Sequence, residues 1–322
     1  MKQMLALILS LSLIVAAGHA AAHANYPTKP VRIIVGFPPG GPADIVARLL
    51  GQKLAEAWGK AAVVENVTGA AGNIGADRVA KATPDGYTLG LLGQTQIVVN
   101  PSLYKLPYDP MKDFATISQV AVTSSILVVH NAVPAKNVGE LVALAKARPG
   151  ELTFATGGSG ASSHLPGELL KSMAGIDISH IPYKGGPQAI LDVLAGRVTM
   201  AFSTIPVALP LVRQGKLRAL AVTSLRRSST VPELPTIDES GFRGFEATAW
   251  FGLLAPAGTP ATIARKLHLE TVKVLGQAEV RAKLTDHGFE VFGNSPDEFA
   301  AAIKSEIPKW AKLIKESGIK PD

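Results

Sequence analysis

Cysteine is absent from the 322-residue sequence. Its absence excludes a disulfide framework, a thiolate metal site and a lipid anchor attached through cysteine. Beyond residue 24, the histidines form no H-x-x-x-H or H-x-H pair, so we expect no histidine-based metal site. The glycine-rich loops match neither G-x-x-x-x-G-K followed by Ser or Thr, nor G-x-G-x-x-G followed by a suitably spaced acid, which argues against nucleotide binding. We expect no cofactor.

Charged residues are also few, at 18% of the chain. The 32 Lys and Arg exceed the 25 Asp and Glu and give a formal net charge of +7. The basic residues are scattered, and Arg226-Arg227 is the only arginine pair, so we expect no nucleic-acid partner. With 47% hydrophobic residues, the chain is long enough for two packed domains.

Residues 1–24 have the features of a secretory signal peptide. Lys2 gives a basic start, residues 4–17 are apolar but too short to span a bilayer, and Ala22-His23-Ala24 fits the A-x-A cleavage pattern. A retained membrane anchor is the alternative, but no longer apolar run or stop-transfer pattern follows. We therefore expect cleavage near Ala24 and a periplasmic location.

The stretch from Val31 to Leu50 contains a strand, a tight loop and a helix in succession. Val31–Val35 is β-branched and apolar, and the sequence FPPGG at 37–41 interrupts both strand and helix. Pro42 suits a first helical turn, and the apolar residues that follow recur at helical spacing. The free N–H groups of that turn and the helix dipole favour an anion, and we expect a carboxylate there.

Strands and helices then alternate, which predicts parallel sheets in two α/β units. Further strands are expected at 61–65 and 87–92, separated by a helix at 73–82 that Asn73 caps. A second unit covers 138–222 and includes helices at 138–147 and 161–174. Crossings near Ser118–Ser125 and Ala247–Phe251 would connect the units as a hinge. After the signal peptide at 1–24, we predict lobe 1 at 25–123 and 249–322, with lobe 2 inserted at 124–248.

Three loops share glycines placed between a strand and a helix: FPPGG at 37–41, ATGGSGASSHL at 155–165 and YKGGPQ at 183–188. One such loop is explained by backbone geometry alone, but three across two lobes favour a binding site. Thr156, Ser159, Ser162 and Ser163 add hydroxyl groups suited to a carboxylate.

A secreted serine hydrolase is the alternative from a different functional class. Ser159 or Ser162 would be its nucleophile and His164 its base, but the chain lacks G-x-S-x-G, so we expect no enzymatic activity. Trp250 and Phe251 fit either a pocket wall or the core, and the core is favoured. The aliphatic residues of the last helix are interpreted as packing.

With these loops in place, the sequence resembles the substrate-binding receptors of the tripartite tricarboxylate transporter system, the Bug-type periplasmic binding proteins. The resemblance rests on YPTKPVRIIVGFPPGGPADIVARLL at 26–50, ENVTGAAGNIGADRVAKATPDGYTL at 65–89, IPYKGGPQAILDVLAGRVTMAF at 181–202, QGKLRALAVTS at 214–224 and FGLLAPAGTP at 251–260. It implies an α/β, two-lobed type II periplasmic binding protein (Venus flytrap) fold with two crossing segments. Such a protein holds a small organic carboxylate between its lobes.

The resemblance also assigns roles to individual residues. The implied contacts are Phe37, Pro39, Gly41, Thr156, Gly157, Ser159, Gly160 and Tyr183, with Gly40 in the same anion-binding loop and His164 supporting the second loop. Selectivity is expected from Gln94, Thr95, Ser203 and Thr204. Several relatives have Asp where this chain has Ser203, which disfavours amino-acid ligands here. The implied partner of a monomeric receptor is a two-subunit membrane permease, or a sensor kinase if the protein signals.

Overall fold

The computed structural model describes residues 26–320. The predicted signal peptide and its cleavage site lie outside the described residues. Within 26–320, the chain forms ten strands that join one mixed sheet, with helices packed on it. None of the helices in this part of the chain has the length and apolar character needed to cross a membrane.

The first α/β unit has the predicted parallel pairing. Strand β1 pairs in parallel with both β2 and β3. The elements are β1 (Val31–Val35), α1 (Pro42–Trp58), β2 (Ala62–Asn66), a 3-10 turn (Ala70–Gly72), α2 (Asn73–Ala80), β3 (Thr88–Gly93), a π-helix (Thr95–Val99) and a second 3-10 turn (Asn100–Ser102).

The predicted cap at Asn73 is wrong. Gly72 occupies the N-cap position of α2, and Asn73 makes no cap. Its side-chain oxygen instead accepts hydrogen bonds from Asn100 Nδ2 at 2.6 Å and from the Tyr108 hydroxyl at 2.9 Å. Asn73 therefore connects α2 to the chain beyond β3.

The second α/β unit repeats this arrangement, with β5 parallel to β6 and β7. Its elements are α3 (Val138–Ala147), β5 (Thr153–Thr156), α4 (Leu165–Ala174), β6 (Ser179–Pro182), α5 (Gly186–Leu194), β7 (Met200–Thr204), α6 (Ile205–Arg213) and β8 (Leu217–Val222).

Two antiparallel strands join the units. The long strand β4 (Phe114–His130) pairs through its first part with β9 (Thr248–Pro256) and β10 (Phe289–Val291), and through its second part with β7 and β8. The strand order is β2-β1-β3-β9-β4-β7-β5-β6. The parallel sets thus lie on opposite sides of an antiparallel centre, and the fold is a two-lobed α/β architecture.

Three C-terminal helices complete the structure: α7 (Ala261–Leu275), α8 (Ala278–Asp286) and α9 (Pro296–Ser317). A capping box between Ser295 and Glu298 starts α9. Phe299 on α9 is fully buried and meets the Trp250 ring edge to face, with centroids 5.1 Å apart. Gly252 faces the Phe299 ring so closely that a Cβ there would overlap it. The last helix is therefore fitted directly against β9.

Candidate functional site

A cleft of about 420 Å³ opens at the ends of the strands, between the two α/β units. Its walls come from the loops after β1, β3, β5 and β6, from the end of β7 and from β9. Eight of the residues expected to bind ligand line it: Phe37, Pro39, Gly41, Gln94, Thr95, Gly157, Ser203 and Thr204.

The first loop, residues 37–41, is held in place by one buried carboxylate. Asp44, in the first turn of α1, accepts hydrogen bonds from Gly40 N and Arg48 Nε through Oδ2, both at 2.9 Å. Asn66 Nδ2 donates to Asp44 Oδ1 and to the Phe37 carbonyl, each at 2.9 Å. The N–H of Gly40 is thus already used within the protein, while Gly41, Pro42 and Ala43 line the cleft.

Gly40 is expected to bind ligand but lies outside the cleft lining. Its φ is 78°, a backbone conformation that residues other than glycine rarely adopt. Its place in the loop is therefore explained by the turn that it allows.

Asp44 gives the first loop a predictable response to pH. Burial alone would raise its pKa, but the hydrogen bonds from Arg48, Gly40 and Asn66 hold the pKa below its ordinary value. The Asp44 carboxylate therefore stabilises the folded state fully above its unfolded-state pKa of about 3.9. This stabilisation is lost as the pH falls through the lower, folded-state pKa. Asp44→Asn should reduce the free energy of unfolding at pH 7 by about 1–3 kcal/mol, because its amide donor would face other donors.

Urea unfolding at pH 7 and pH 3 measures this effect. The difference between wild type and Asp44→Asn should shrink at the lower pH, whereas the exposed Glu233→Gln should differ little from wild type at either pH. A difference that stays constant between the two pH values would contradict a role for the Asp44 carboxylate.

The second loop rests on a pair of stacked histidines. The rings of His164 and His180 are 3.7 Å apart and nearly parallel, and His180 Nε2 contacts Thr156 Oγ1 at 2.6 Å. His164 Nδ1 accepts from Gly160 N at 3.0 Å, so in the neutral ring the proton lies on Nε2, which faces Glu168 Oε1 at 3.4 Å. Both ring nitrogens of His164 are thus engaged, as expected for a supporting residue rather than a catalytic base.

Burial and hydrogen bonding have opposite effects on the pKa of Glu168. Burial would raise its pKa, but hydrogen bonds from His164 and Lys171 hold the pKa below its ordinary value. The carboxylate therefore remains charged at neutral pH beneath the second loop.

Four more of the expected contacts, together with His164, lie outside the cleft lining: Thr156, Ser159, Gly160 and Tyr183. Thr156 and Ser159 are buried, and the Tyr183 hydroxyl donates to Asp192 Oδ2 at 2.6 Å. Gly160 has a φ of 73° and lies against Leu103. In this structure these residues support the loops from behind.

Gly157 allows the second and third loops to approach each other. Its N–H donates to Ser163 Oγ at 2.9 Å, and a Cβ at this position would lie 3.1 Å from Gly186 N. Tyr183 N also donates to the Thr156 carbonyl at 3.0 Å. The two loops therefore form one continuous wall of the cleft.

The third loop contributes Lys184, which was not among the expected site residues. Lys184 is exposed and is the sole charged side chain among the described residues that line the cleft. The loop leads into α5, whose N-cap residue Gly185 has a φ of 132° and whose first turn contains no acid. The signal was present in YKGGPQ, where the lysine directly precedes the glycines.

A hydrogen-bonded triad on the opposite side connects the cleft to the last helix. Glu306 Oε2 on α9 accepts from Gln94 Nε2 at 2.7 Å and from Trp250 Nε1 at 3.0 Å. The aliphatic residues of α9 pack in the core as predicted, and Glu306 adds a polar contact to a cleft residue that the sequence did not predict. Trp250 and Phe251 are buried in the core and also line the cleft, so each is both a core residue and part of the pocket wall.

Comparisons with known proteins identify the relatives of this chain. The family model for the tripartite tricarboxylate transporter family receptor matches residues 46–319. Protein BugT of Bordetella pertussis is 37% identical over 298 residues, which cover 92% of this chain and 91% of BugT.

Two solved structures from Rhodopseudomonas palustris share the fold. Rpa4515, solved with adipate, has a TM-score of 0.88 and 36% identity, covering 92% of this chain and 100% of that one. MatC, solved with bound malate, has a TM-score of 0.83 and 33% identity, covering 90% of this chain and 100% of that one.

The matched family is a receptor family, and the hydrolase alternative gains no support from these comparisons. The protein is a solute-binding receptor and not an enzyme. On the family match and on the similarity along nearly its whole length, this chain belongs to the tripartite tricarboxylate transporter receptor family, whose Bug-type members include BugT.

Proposed function

We propose that this protein captures a small organic carboxylate in the cleft between its lobes and delivers it to a membrane transporter. One observation carries the proposal: the cleft is walled by three glycine-rich loops and contains a cationic side chain but no acidic one among the described residues. Backbone N–H groups at helix starts and a nearby lysine favour an anion, and an acid-free wall does not repel it. The adipate and malate held by Rpa4515 and MatC support the same chemistry.

Within this proposal, the site residues divide into two groups. Direct contacts come from the cleft lining, with Phe37, Pro39, Gly41 and Gly157 near the carboxylate and Gln94, Thr95, Ser203 and Thr204 towards the rest of the ligand. Gly40, Thr156, Ser159, Gly160, His164 and Tyr183 shape and hold the loops. The absence of an acid at Ser203 favours ligands without an amino group.

The proposal includes the location and the assembly of the receptor. We assign lobe 1 to residues 25–123 and 249–322 and lobe 2 to 124–248, which agrees with the positions of β4 and β9 in the sheet. The mature protein is a periplasmic monomer after cleavage near Ala24. Its partner is a two-subunit permease.

A thermal-shift screen of the mature, refolded protein tests the carboxylate proposal. Aliphatic, aromatic and amino acids should be compared with their neutral amides. A carboxylate at a hundred times its Kd should add about 2.7 kcal/mol, which raises the Tm by several degrees. Equal shifts with acids and amides, or no shift with any acid, would overturn the proposal.

A further inference from the structure

Among the described lysines and arginines that form no salt bridge, Lys184 is the one that lines the cleft. It forms no salt bridge with any residue between 26 and 320. The first acid that follows it along the chain, Asp192 on α5, is already bound by the Tyr183 hydroxyl at 2.6 Å and by Arg197 Nη1 at 2.9 Å. Lys184 is therefore left as an uncompensated charge at the edge of the cleft.

The first loop and the Lys184 loop, which both favour an anion, follow strands on opposite sides of the centre of the sheet. The first loop follows β1, while Lys184 follows β6, and β3, β9, β4, β7 and β5 lie between those two strands. Both loops nevertheless line the same cleft. A ligand that spans the cleft thus meets neutral backbone donors at one wall and a lysine at the other.

At the first loop, residues 37–41, the electrostatic potential is less positive than the N-terminus of α1 alone would produce. Asp44 places a buried carboxylate in the first turn of α1, whereas the first turn of α5, beside Lys184, contains no acid. An acid in the first turn offsets part of the positive potential of the helix dipole. The Lys184 side therefore has the greater attraction for a second negative charge.

From these observations we infer that Lys184 is a specificity-determining residue that binds a second carboxylate, so that the receptor prefers dicarboxylates to monocarboxylates. The inference rests on the proposed function. It adds that one carboxylate lies at the Phe37–Gly41 wall while the other pairs with Lys184. A lysine ammonium supplies this contact as a point charge, so arginine should substitute for it more successfully than a neutral side chain.

Calorimetric titration with matched probes tests the inference. The probes are succinate, glutarate and adipate, their monomethyl esters, and the monocarboxylates butanoate, hexanoate and benzoate. The wild-type protein should bind at least one diacid about tenfold or more tightly than its ester, the change that a charge-assisted hydrogen bond provides. Lys184→Gln should reduce the affinity for that diacid to the affinity for its ester and leave the affinity for the ester unchanged. Lys184→Arg should retain the preference for the diacid.

Lys146→Gln, an exposed lysine on α3 and outside the cleft, is the matched control and should bind like wild type. The diacid preference should also decline as the salt concentration rises, since added salt screens the lysine charge. The inference is overturned if Lys184→Gln weakens diacid and ester equally or changes neither. It is also overturned if an ester or monocarboxylate binds wild type as tightly as every diacid. If no acid binds the wild-type protein, the proposed function itself fails, and this inference fails with it.

Discussion

Gly157→Leu is expected to weaken ligand binding by about 5- to 150-fold while leaving the fold intact. The Cβ of any residue at this position would lie 3.1 Å from Gly186 N and 3.3 Å from the Gly185 carbonyl carbon, closer than an unstrained packing contact. The rest of the leucine side chain would have to separate the second and third loops or enter the cleft. Overpacking of this kind costs about 1–3 kcal/mol, which corresponds to about 5- to 150-fold in affinity.

The effect should be confined to binding because both loops lie at the rim of the cleft and outside the sheet. Calorimetry with the acid identified by thermal shift measures affinity, and circular dichroism with urea unfolding checks the fold. Gly276→Leu makes the same chemical change at an exposed position with φ of −77°, and its affinity should equal that of wild type. Wild-type affinity in Gly157→Leu would show that the loop contact is not part of the site.

The alternation of strands and helices was predictable because each element has a local signal. The structure begins β1 at Val31 and ends it at Val35, as predicted, and α3 from Val138 to Ala147 also has its predicted ends. Helix α4 was expected from Ala161 but starts at Leu165. Ala161 N instead bonds the Gly158 carbonyl, so the loop turns once more before the helix begins. Such loop contacts have no periodic signature in sequence.

The sheet itself was only partly predictable. Strand β4 was recognised as a crossing segment, but two of its four pairing partners, β9 and β10, lie more than a hundred residues further along the chain. The predicted parallel sheets are present, but an antiparallel centre joins them. Alternating patterns specify which segments are strands, while long-range packing decides how those strands are arranged.

The candidate site shows the same division between local and distant information. The three glycine loops were found because glycine and proline mark tight turns in any sequence. Glu306 was missed because its partner Gln94 is 212 positions away and nothing in the last helix distinguishes this acid from a solvated one. The supporting role of the His164–His180 stack likewise depends on β6 lying beside β5.

Phe299→Ala should cause the largest loss of stability, about 3–5 kcal/mol, since it removes a fully buried ring and leaves a cavity. The ring packs edge to face on Trp250 and against Gly252, a residue with no side chain to fill the space. Urea unfolding should show a lower midpoint with an unchanged slope. The control is Phe292→Ala, whose ring is 44% exposed, and it should cost much less.

The same substitution should also weaken ligand binding, because Trp250 forms part of the cleft and is held from behind by Phe299 and Glu306. An alanine at 299 removes the ring that packs on the indole, so the position of Trp250 depends more on the Glu306 hydrogen bond and on its remaining core contacts. Affinity measured below the unfolding transition should fall in Phe299→Ala and not in Phe292→Ala. Equal stability losses in the two variants would contradict the core position of Phe299. A large stability loss with unchanged affinity would instead show that the packing of the last helix on Trp250 does not affect the binding site.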